Sequence, residues 1–149
     1  MDDIDSRLVG ALQADARASF ADLARLVGLS APSVQERVRR LERTGVLRGY
    51  HADVDPKAVG LAVTALVGIM QREGVEQDVL ATRLEAVPEV EDCWLVAGDE
   101  AFVVRVRVPD VDALEHTLGV LRRVPGVGRT RTTIVLSTRF ERRRVLPGQ

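Results

Sequence analysis

An arginine-rich stretch is the clearest chemical feature of this sequence of 149 residues. Its basic residues are Arg37, Arg39, Arg40, Arg43 and Arg48, and its acidic residues are Glu36 and Glu42. The chain as a whole carries a net charge of −1 at pH 7, so this excess is local. A local basic patch in a nearly neutral protein is typical of an element that contacts nucleic acid. From charge alone, a solvated helix face is the alternative.

Residues that could carry catalysis or bind a metal are few. One cysteine, Cys93, can neither form an internal disulfide nor build a zinc site by itself, which is typical of a reducing compartment. The sequence has no GxxxxGKS/T phosphate loop, no HExxH motif and no CxxC pair. We therefore expect no enzymatic activity, no catalytic residue, no metal and no cofactor.

Hydropathy indicates a cytoplasmic protein with no membrane partner. Residues 1–5 are acidic where a signal peptide would be basic. The longest stretch without a charged residue spans 58–71, which is too short to cross a bilayer. Only five aromatic side chains are present, too few for a surface that stacks single-stranded RNA.

The first fifty residues predict three short helices. Apolar residues at helical spacing place the first helix over about residues 2–15. Ser19 is a suitable N-cap for the second, which ends at Gly28, and Ser30 caps a third that runs to about Thr44. The short turn between the second and third helices contains glycine, as in a helix-turn-helix. In that motif the second of the two helices enters the major groove of DNA.

The third helix is predicted to present its basic residues to double-stranded DNA. With Val34 toward the core and about 100° per residue, the outer face lies opposite Val34. That outer face contains Pro32, Ser33, Glu36, Arg39, Arg40 and Arg43, with Arg37 at its flank. We expect Ser33, Glu36 and Arg37 to reach base edges. Arg40 and Arg43, farther along the helix, are expected at phosphates.

Two further DNA contacts are expected at the ends of this helix. Backbone N–H groups near Ser30 can hold a phosphate at the helix N-terminus. Arg48 lies in a predicted short hairpin, or wing, over residues 46–52, where it can reach the DNA backbone. The predicted winged helix-turn-helix domain spans residues 1–54.

The remainder of the chain predicts a ferredoxin-like domain, so the fold class is α+β. Its elements follow the order βαββαβ over residues 63–140, with a linker over 55–62 before it and a basic tail over 141–149 after it. The strands are expected over 63–70, 91–97, 102–108 and 130–136, and the helices over 75–87 and from Asp110 onward.

A sheet of this kind has one face covered by two helices and one face open. We expect Val63, Ala65, Val67 and Ile69 to make the open face apolar. An open apolar face is best buried against a second copy of the chain, which predicts a homodimer formed sheet to sheet.

The chain resembles the Lrp/AsnC (feast/famine) family of regulators throughout its length. The residues that carry the resemblance in the first half are Asp5, Leu8, Leu12, Arg17, Leu23-Ala24, Val27-Gly28-Leu29-Ser30, Val34, Arg37-Val38, Arg40-Leu41, Gly45-Val46-Leu47 and Gly49-Tyr50. In the second half they are Pro88-Glu89-Val90, Gly98-Asp99, Pro125-Gly126-Val127 and Thr130-Arg131-Thr132. The resemblance implies a winged helix-turn-helix followed by an αβ-sandwich that dimerises, often forms octamers, and senses small molecules, usually amino acids.

The resemblance also implies a ligand site between dimers, near the turn at residues 97–101 and the strand start at 129–133. Gly98 would let the backbone approach a ligand, and Thr130 and Thr132 would offer hydroxyls. The family usually has an acidic residue where this chain has Ala101, so Asp99 or Glu100 would have to replace it. Our preference is an amino acid or related metabolite held partly by Asp99. A ligand without an amine, or no ligand, is the alternative, and Gly98 would then only shape a turn.

Two other functions stay open at this point. Some haem-biosynthesis decarboxylases resemble this family, and they need cations to hold the carboxylates of a tetrapyrrole. Arg105 and Arg107, on one predicted strand, are the candidates for that role. The other alternative is an architectural DNA-binding protein that responds to no effector.

Overall fold

A computed structural model describes residues 1–141 of the chain. It divides into two compact units, of which the main part of the first is Met1–Asp53 and the second is Val54–Arg139. The predicted linker over 55–62 therefore groups with the second unit. Residues 142–149 of the predicted basic tail lie outside the described residues. Within the described part of the chain, no helix is long and apolar enough to cross a membrane.

The first unit consists of three helices around a small apolar core. They are α1 (Asp3–Ala14), α2 (Phe20–Val27) and α3 (Ala31–Arg43), as the apolar spacing predicts. Each begins at a side chain that caps its first turn, namely Asp2, Ser19 and Ser30. The core contains Leu8, Leu12, Leu23, Ala24, Val27, Val34 and Val38.

The turn between α2 and α3 is three residues long, and Gly28 makes it possible. Gly28 has φ +73°, a left-handed conformation that ends α2. The N–H groups of Gly28 and Leu29 both donate to the carbonyl of Ala24, at 2.9 and 3.1 Å. Ser30 then starts α3 with extended backbone. The predicted helix-turn-helix is confirmed.

The predicted hairpin over residues 46–52 is wrong. No strand is present between residues 44 and 62. The segment after α3 instead bonds back to that helix, because the N–H of Leu47 donates to the carbonyl of Leu41 at 3.0 Å. The hydroxyl of Tyr50 also donates to Glu42 Oε1 at 2.8 Å. A wing made of two paired strands is therefore absent from residues 44–62.

The second unit has the predicted βαββαβ order. Its elements are β1 (Val63–Gln71), α4 (Gln77–Glu85), β2 (Val90–Leu95), β3 (Phe102–Val108), α5 (Val111–Arg123) and β4 (Val127–Val135). The strands form one sheet in the order β2-β3-β1-β4, with all neighbours antiparallel. This is the ferredoxin-like arrangement.

The predicted open face of the sheet is on the wrong side. Ala65, Val67 and Ile69 have no exposed surface and pack in one cluster with Leu80 of α4 and Leu121 of α5. Val63 is partly buried against the same cluster. Both alternating sets of β1 are largely apolar, so the sequence of this strand does not decide which set faces the helices. Pairing with β3 decides it, because this set lies beside the buried side chains at 102, 104 and 106.

The true open face mixes apolar and charged side chains. Alternation along the strands places Thr64, Leu66, Gly68, Met70, Asp92, Trp94, Val103, Arg105, Arg107, Arg129, Arg131, Thr133 and Val135 on this side. Leu66 and Trp94 are 37% and 45% exposed, respectively. The face is therefore far more polar than expected.

Candidate nucleic-acid interface and ligand site

The N-terminus of α3 is closed by its own serines. Ser30 Oγ accepts from the N–H of Ser33 at 3.4 Å, and the two hydroxyl oxygens are 2.8 Å apart. Pro32 lies in the first turn and has no N–H to satisfy. Among the first donors of the helix, the N–H of Ala31 remains for an incoming phosphate.

The outer face of α3 carries an exposed pattern of charge. Pro32, Ser33, Glu36, Arg39 and Arg43 are all exposed, as predicted. Arg43 Nη2 lies 3.9 Å from Glu36 Oε1, a loose contact between two solvated side chains. Arg39 makes no ion pair within residues 1–141. This face therefore has cationic groups available to a polyanion.

Arg37 and Arg40 differ from Arg39 and Arg43, because carboxylates from the start of α1 bind both side chains. Arg37 Nη1 donates to Asp2 Oδ2 at 2.7 Å and to Asp5 Oδ1 at 2.8 Å. Arg40 Nη2 donates to Asp5 Oδ2 at 2.7 Å. Both guanidinium groups thus lie against carboxylates at the start of α1, and the contacts of Arg37 with a base and of Arg40 with a phosphate stay predictions. The helical wheel had placed Arg37 at the flank, and its side chain reaches α1 from there.

Asp5 is the centre of this ion-pair cluster, and it is only 1% exposed. Burial alone would raise the pKa of Asp5. The N–H of Asp2, the guanidinium of Arg37 and the charge of Arg40 outweigh burial and lower that pKa. The pKa of Asp2 is lowered as well, first by the N–H of Asp5 and then by Arg37. Both carboxylates are therefore ionised at neutral pH.

Arg48 is exposed in the segment that follows α3. Nearby, the hydrogen bond to Glu42 and partial burial raise the pKa of Tyr50 to about 12, with burial the larger cause. The tyrosine therefore stays protonated and holds this segment to α3. Arg48 has no ion pair in the described part of the chain, so it adds to the free positive charge of the first unit.

In the second unit, the turn after β2 brings Glu100 onto the open face of the sheet. Its side chain is 13% exposed and forms an ion pair with Arg131 of β4. It lies directly over Gly68 of β1, where an added Cβ would come within 2.7 Å of Glu100 Cγ. The absence of a side chain at Gly68 makes room for the carboxylate. Glu100 and Arg131 thus form a charge pair on a half-enclosed surface.

The other predicted ligand residues do not join this pair. Thr130 and Thr132 lie opposite Ile69 and Val67, on the side of β4 that faces the helices. Arg131, between them, points to the open face. Gly98 and Asp99 are exposed at the turn. Ala101 contributes only backbone, since its N–H donates to the carbonyl of Ile69 at 2.9 Å.

Arg105 and Arg107 are matched by carboxylates on β2. Arg107 Nη1 lies 3.0 Å from Glu91 Oε2, and Arg105 Nε lies 3.4 Å from the same oxygen. Arg105 also pairs with Asp92. Its guanidinium carbon is 6.0 Å from the ring centroid of Trp94. These cations already have anionic partners, so they are poorly suited to hold the carboxylates of a tetrapyrrole.

Known proteins match both units in the same order. An AsnC-type helix-turn-helix domain model matches residues 1–42, and an Lrp/AsnC ligand binding domain model matches residues 64–145. The chain belongs to the Lrp/AsnC family. The resemblance noted in the sequence is confirmed.

Relatives of this Lrp/AsnC protein are similar along almost the whole chain. The HTH-type transcriptional regulator LrpA of Mycobacterium tuberculosis is 46% identical over 147 residues, covering 99% of this chain and 97% of that protein. The leucine-responsive regulatory protein of Escherichia coli is 37% identical over 139 residues, covering 91% and 85%. A solved feast or famine regulatory protein from M. tuberculosis, complexed with L-methionine, has a TM-score of 0.92 at 46% identity and covers 98% and 99%.

These matches decide the class of function. The protein is a transcriptional regulator of the Lrp/AsnC family, and its helix-turn-helix is a DNA-binding domain. The prediction of a regulator rather than an enzyme is confirmed by the names of these relatives.

Sequence reasoning missed the partners of the charged residues in this Lrp/AsnC protein. No partner of Asp2 or Asp5, and no role for Gly68, was predicted from the sequence. The sequence did contain a sign of these partners at Asp5, because its spacing places it on the same face of α1 as the apolar Leu8 and Leu12. A carboxylate on the buried side of a helix needs a cationic partner, and arginines at 37 and 40 lie one turn apart.

Proposed function

We propose that this Lrp/AsnC regulator reads duplex DNA with α3 in the major groove, as a symmetric dimer on pseudo-palindromic half-sites. The observation that carries the proposal is the exposed outer face of α3. Ser33 and Glu36 on its first turns suit base edges, while Arg39 and Arg43 supply positive charge to the backbone. Arg48 and the N–H of Ala31 extend the same contact surface.

The test compares two double variants that lose equal charge. Arg39→Ala/Arg43→Ala removes two exposed cations from the outer face of α3, and Arg122→Ala/Arg123→Ala removes two exposed cations from α5. On a duplex from the upstream region of its own gene, the α3 variant should bind about 10- to 100-fold more weakly. Its logarithmic salt dependence should flatten by about 0.9 per lost phosphate contact. Equal losses in both variants would contradict recognition by α3.

Dimerisation through the open sheet face is the second part of the proposal. Exposed Leu66 and Trp94 lie among arginines that already have carboxylate partners. Such a charge-balanced surface can be buried against an identical copy more readily than a surface with unpaired charge. Assembly of dimers into an octamer is supported only by the likeness to the family.

The proposed effector is an amino acid or a related metabolite that bears both an amine and a carboxylate. Glu100 can accept from an ammonium group, and Arg131 can donate to a carboxylate. A zwitterionic ligand would enter between these two side chains and replace their mutual ion pair. The L-methionine complex of the similar M. tuberculosis protein supports this class of ligand.

A further inference from the structure

Asp5 connects the start of α1 to the middle of α3 through ion pairs with Arg37 and Arg40. We infer that Asp5 is a positioning residue that sets DNA specificity: it holds Arg37 and Arg40 against α1 and so limits sequence-independent binding to phosphates. The inference rests on the proposed function of α3. It concerns the balance between specific and non-specific binding rather than binding itself.

The carboxylate of Asp5 accepts hydrogen bonds from both Arg37 and Arg40. Oδ1 of Asp5 accepts from Arg37 Nη1 at 2.8 Å, and Oδ2 accepts from Arg40 Nη2 at 2.7 Å. The carboxylate is itself fixed, because Oδ2 also accepts from the N–H of Asp2 at 3.2 Å. Asp2 completes the arrangement, since Oδ1 caps the N–H of Asp5 and Oδ2 binds Arg37. The capping box of α1 thus also restrains two side chains of α3.

The cluster lowers the number of arginines in the arginine-rich stretch that can contact DNA. Asp2 and Asp5 offset Arg37 and Arg40, and Glu36 and Glu42 offset two more of the five positive charges. The net surplus of one positive charge lies among Arg39, Arg43 and Arg48. Arg40 is still 48% exposed, and Arg37 is 26% exposed. Both side chains are long enough to turn outward once their partner is lost. Each released guanidinium would then add a phosphate contact that depends on salt and not on sequence.

The experiment uses full-length Asp5→Asn with Asp3→Asn as its matched control. Asparagine keeps the size of the side chain and one acceptor oxygen, and both variants remove one negative charge from α1. Dissociation constants are measured against salt for the site duplex and for a scrambled duplex. For Asp5→Asn, the slope on scrambled DNA should steepen by about 0.9 to 1.8, one unit of 0.9 per phosphate gained. Its preference for the site should fall several-fold, while Asp3→Asn stays close to the wild type.

A purely structural role gives a different result. Asp5→Asn would then weaken binding to both duplexes to the same extent, with unchanged slopes, and this would overturn the inference. Asp2→Asn provides a second test if Asp5→Asn folds poorly, because Asp2 is exposed and asparagine is a good N-cap. It releases one bond to Arg37 and should steepen the slope by up to about 0.9. Unchanged slopes in both variants would overturn the inference alone.

A triple variant that also lacks the two arginines tests whether they make the added DNA contacts. Adding Arg37→Gln and Arg40→Gln to Asp5→Asn should return the slope on scrambled DNA to the wild-type value. A slope that stays steep would assign the added contacts to other residues and overturn the inference. A wild-type protein that binds neither duplex would overturn the proposed function together with it.

Discussion

The outer face of α3 and the open face of the sheet are both rich in arginine, yet their charges are arranged differently. On α3, Arg39 has no ion pair among the described residues, and Arg43 has only a loose one. On the sheet, Arg105, Arg107 and Arg131 each lie against a carboxylate. The helix therefore presents surplus charge, and these three arginines of the sheet present balanced charge.

The difference indicates two kinds of partner. Surplus positive charge attracts a polyanion over a distance and gains free energy as counterions leave the DNA. Paired charges attract a polyanion weakly, but they can be buried by a complementary surface without leaving an ion alone. A count of arginines does not distinguish the two surfaces, whereas the position of the carboxylates does.

The largest expected effect is the loss of the proposed dimer when a charge is added to the open face of the sheet. Leu66→Asp adds a carboxylate at the centre of the open face, where the neighbouring Arg105 of β3 already pairs with Glu91 and Asp92. Burying that group in a sheet-to-sheet interface would cost several kcal/mol, on the order of the cost of an unmatched polar group or ion. We expect a monomer at micromolar concentration, measured by light scattering after size-exclusion chromatography.

Val79→Asp is the matched control for this prediction. Val79 is 43% exposed, similar to Leu66, but it lies on α4 in the helical layer. This variant should stay dimeric. If Val79→Asp dissociates the protein and Leu66→Asp does not, the interface lies on the helices.

The next effect concerns the ion pair proposed to bind the effector. Calorimetry with the twenty amino acids should find a ligand whose affinity falls about 10- to 100-fold in Glu100→Gln, since a charge-assisted hydrogen bond to its amine is lost. Asp99→Asn removes the same charge from an exposed position in the same turn and should change affinity little. Gly68→Ala should also weaken binding, because its methyl group displaces Glu100.

The opposite result, in which Asp99→Asn lowers ligand affinity more than Glu100→Gln, would change the proposed site. A large loss in Asp99→Asn with none in Glu100→Gln would restore the residue that the sequence alone favoured. Binding of no amino acid by the wild type would favour the architectural DNA-binding alternative. In that case the ion pair of Glu100 and Arg131 would only stabilise the sheet.

The sequence predicted the elements well because their signals are local. The N-caps Ser19, Ser30 and Asp110 and the glycine at 28 place helix ends without knowledge of the fold. In β3, alternation alone identifies the inner face, since Arg105 and Arg107 occur on only one side of the strand. In β1 both sides are apolar, and the predicted open face was therefore wrong.

The candidate sites were predicted less completely because they depend on contacts between distant residues. Arg37 and Asp5 are 32 positions apart, and Glu100 and Arg131 are 31 apart. A helical wheel describes one helix and carries no information on a partner from another. It therefore identified the arginines of α3 but not which of them are free. The position of Gly68 under Glu100 likewise requires the register between strands.

The smallest expected effect compares the two units under acid. The pKa values of Asp2, Asp5 and Asp22, all in the first unit, are lowered from 3.8. A carboxyl group whose pKa is lower in the folded state stabilises the fold above its unfolded pKa, and this contribution is lost as the pH falls through the folded value. The first unit should therefore keep its full stability above about pH 5 and weaken below about pH 4.

Asp5→Asn separates the ion-pair cluster from the rest of this acid response. At pH 7 the variant should destabilise the first unit by about 1.5–3 kcal/mol, the range for hydrogen bonds to charged groups. The difference from the wild type should shrink as the pH falls, because acid removes the same carboxylate charge from the wild type. Amide hydrogen exchange in α1 and α3 measures this, while fluorescence of Trp94, the only tryptophan, follows the second unit. A difference that is constant from pH 7 to pH 3 would mean that Asp5 stabilises α1 by packing and not by its charge.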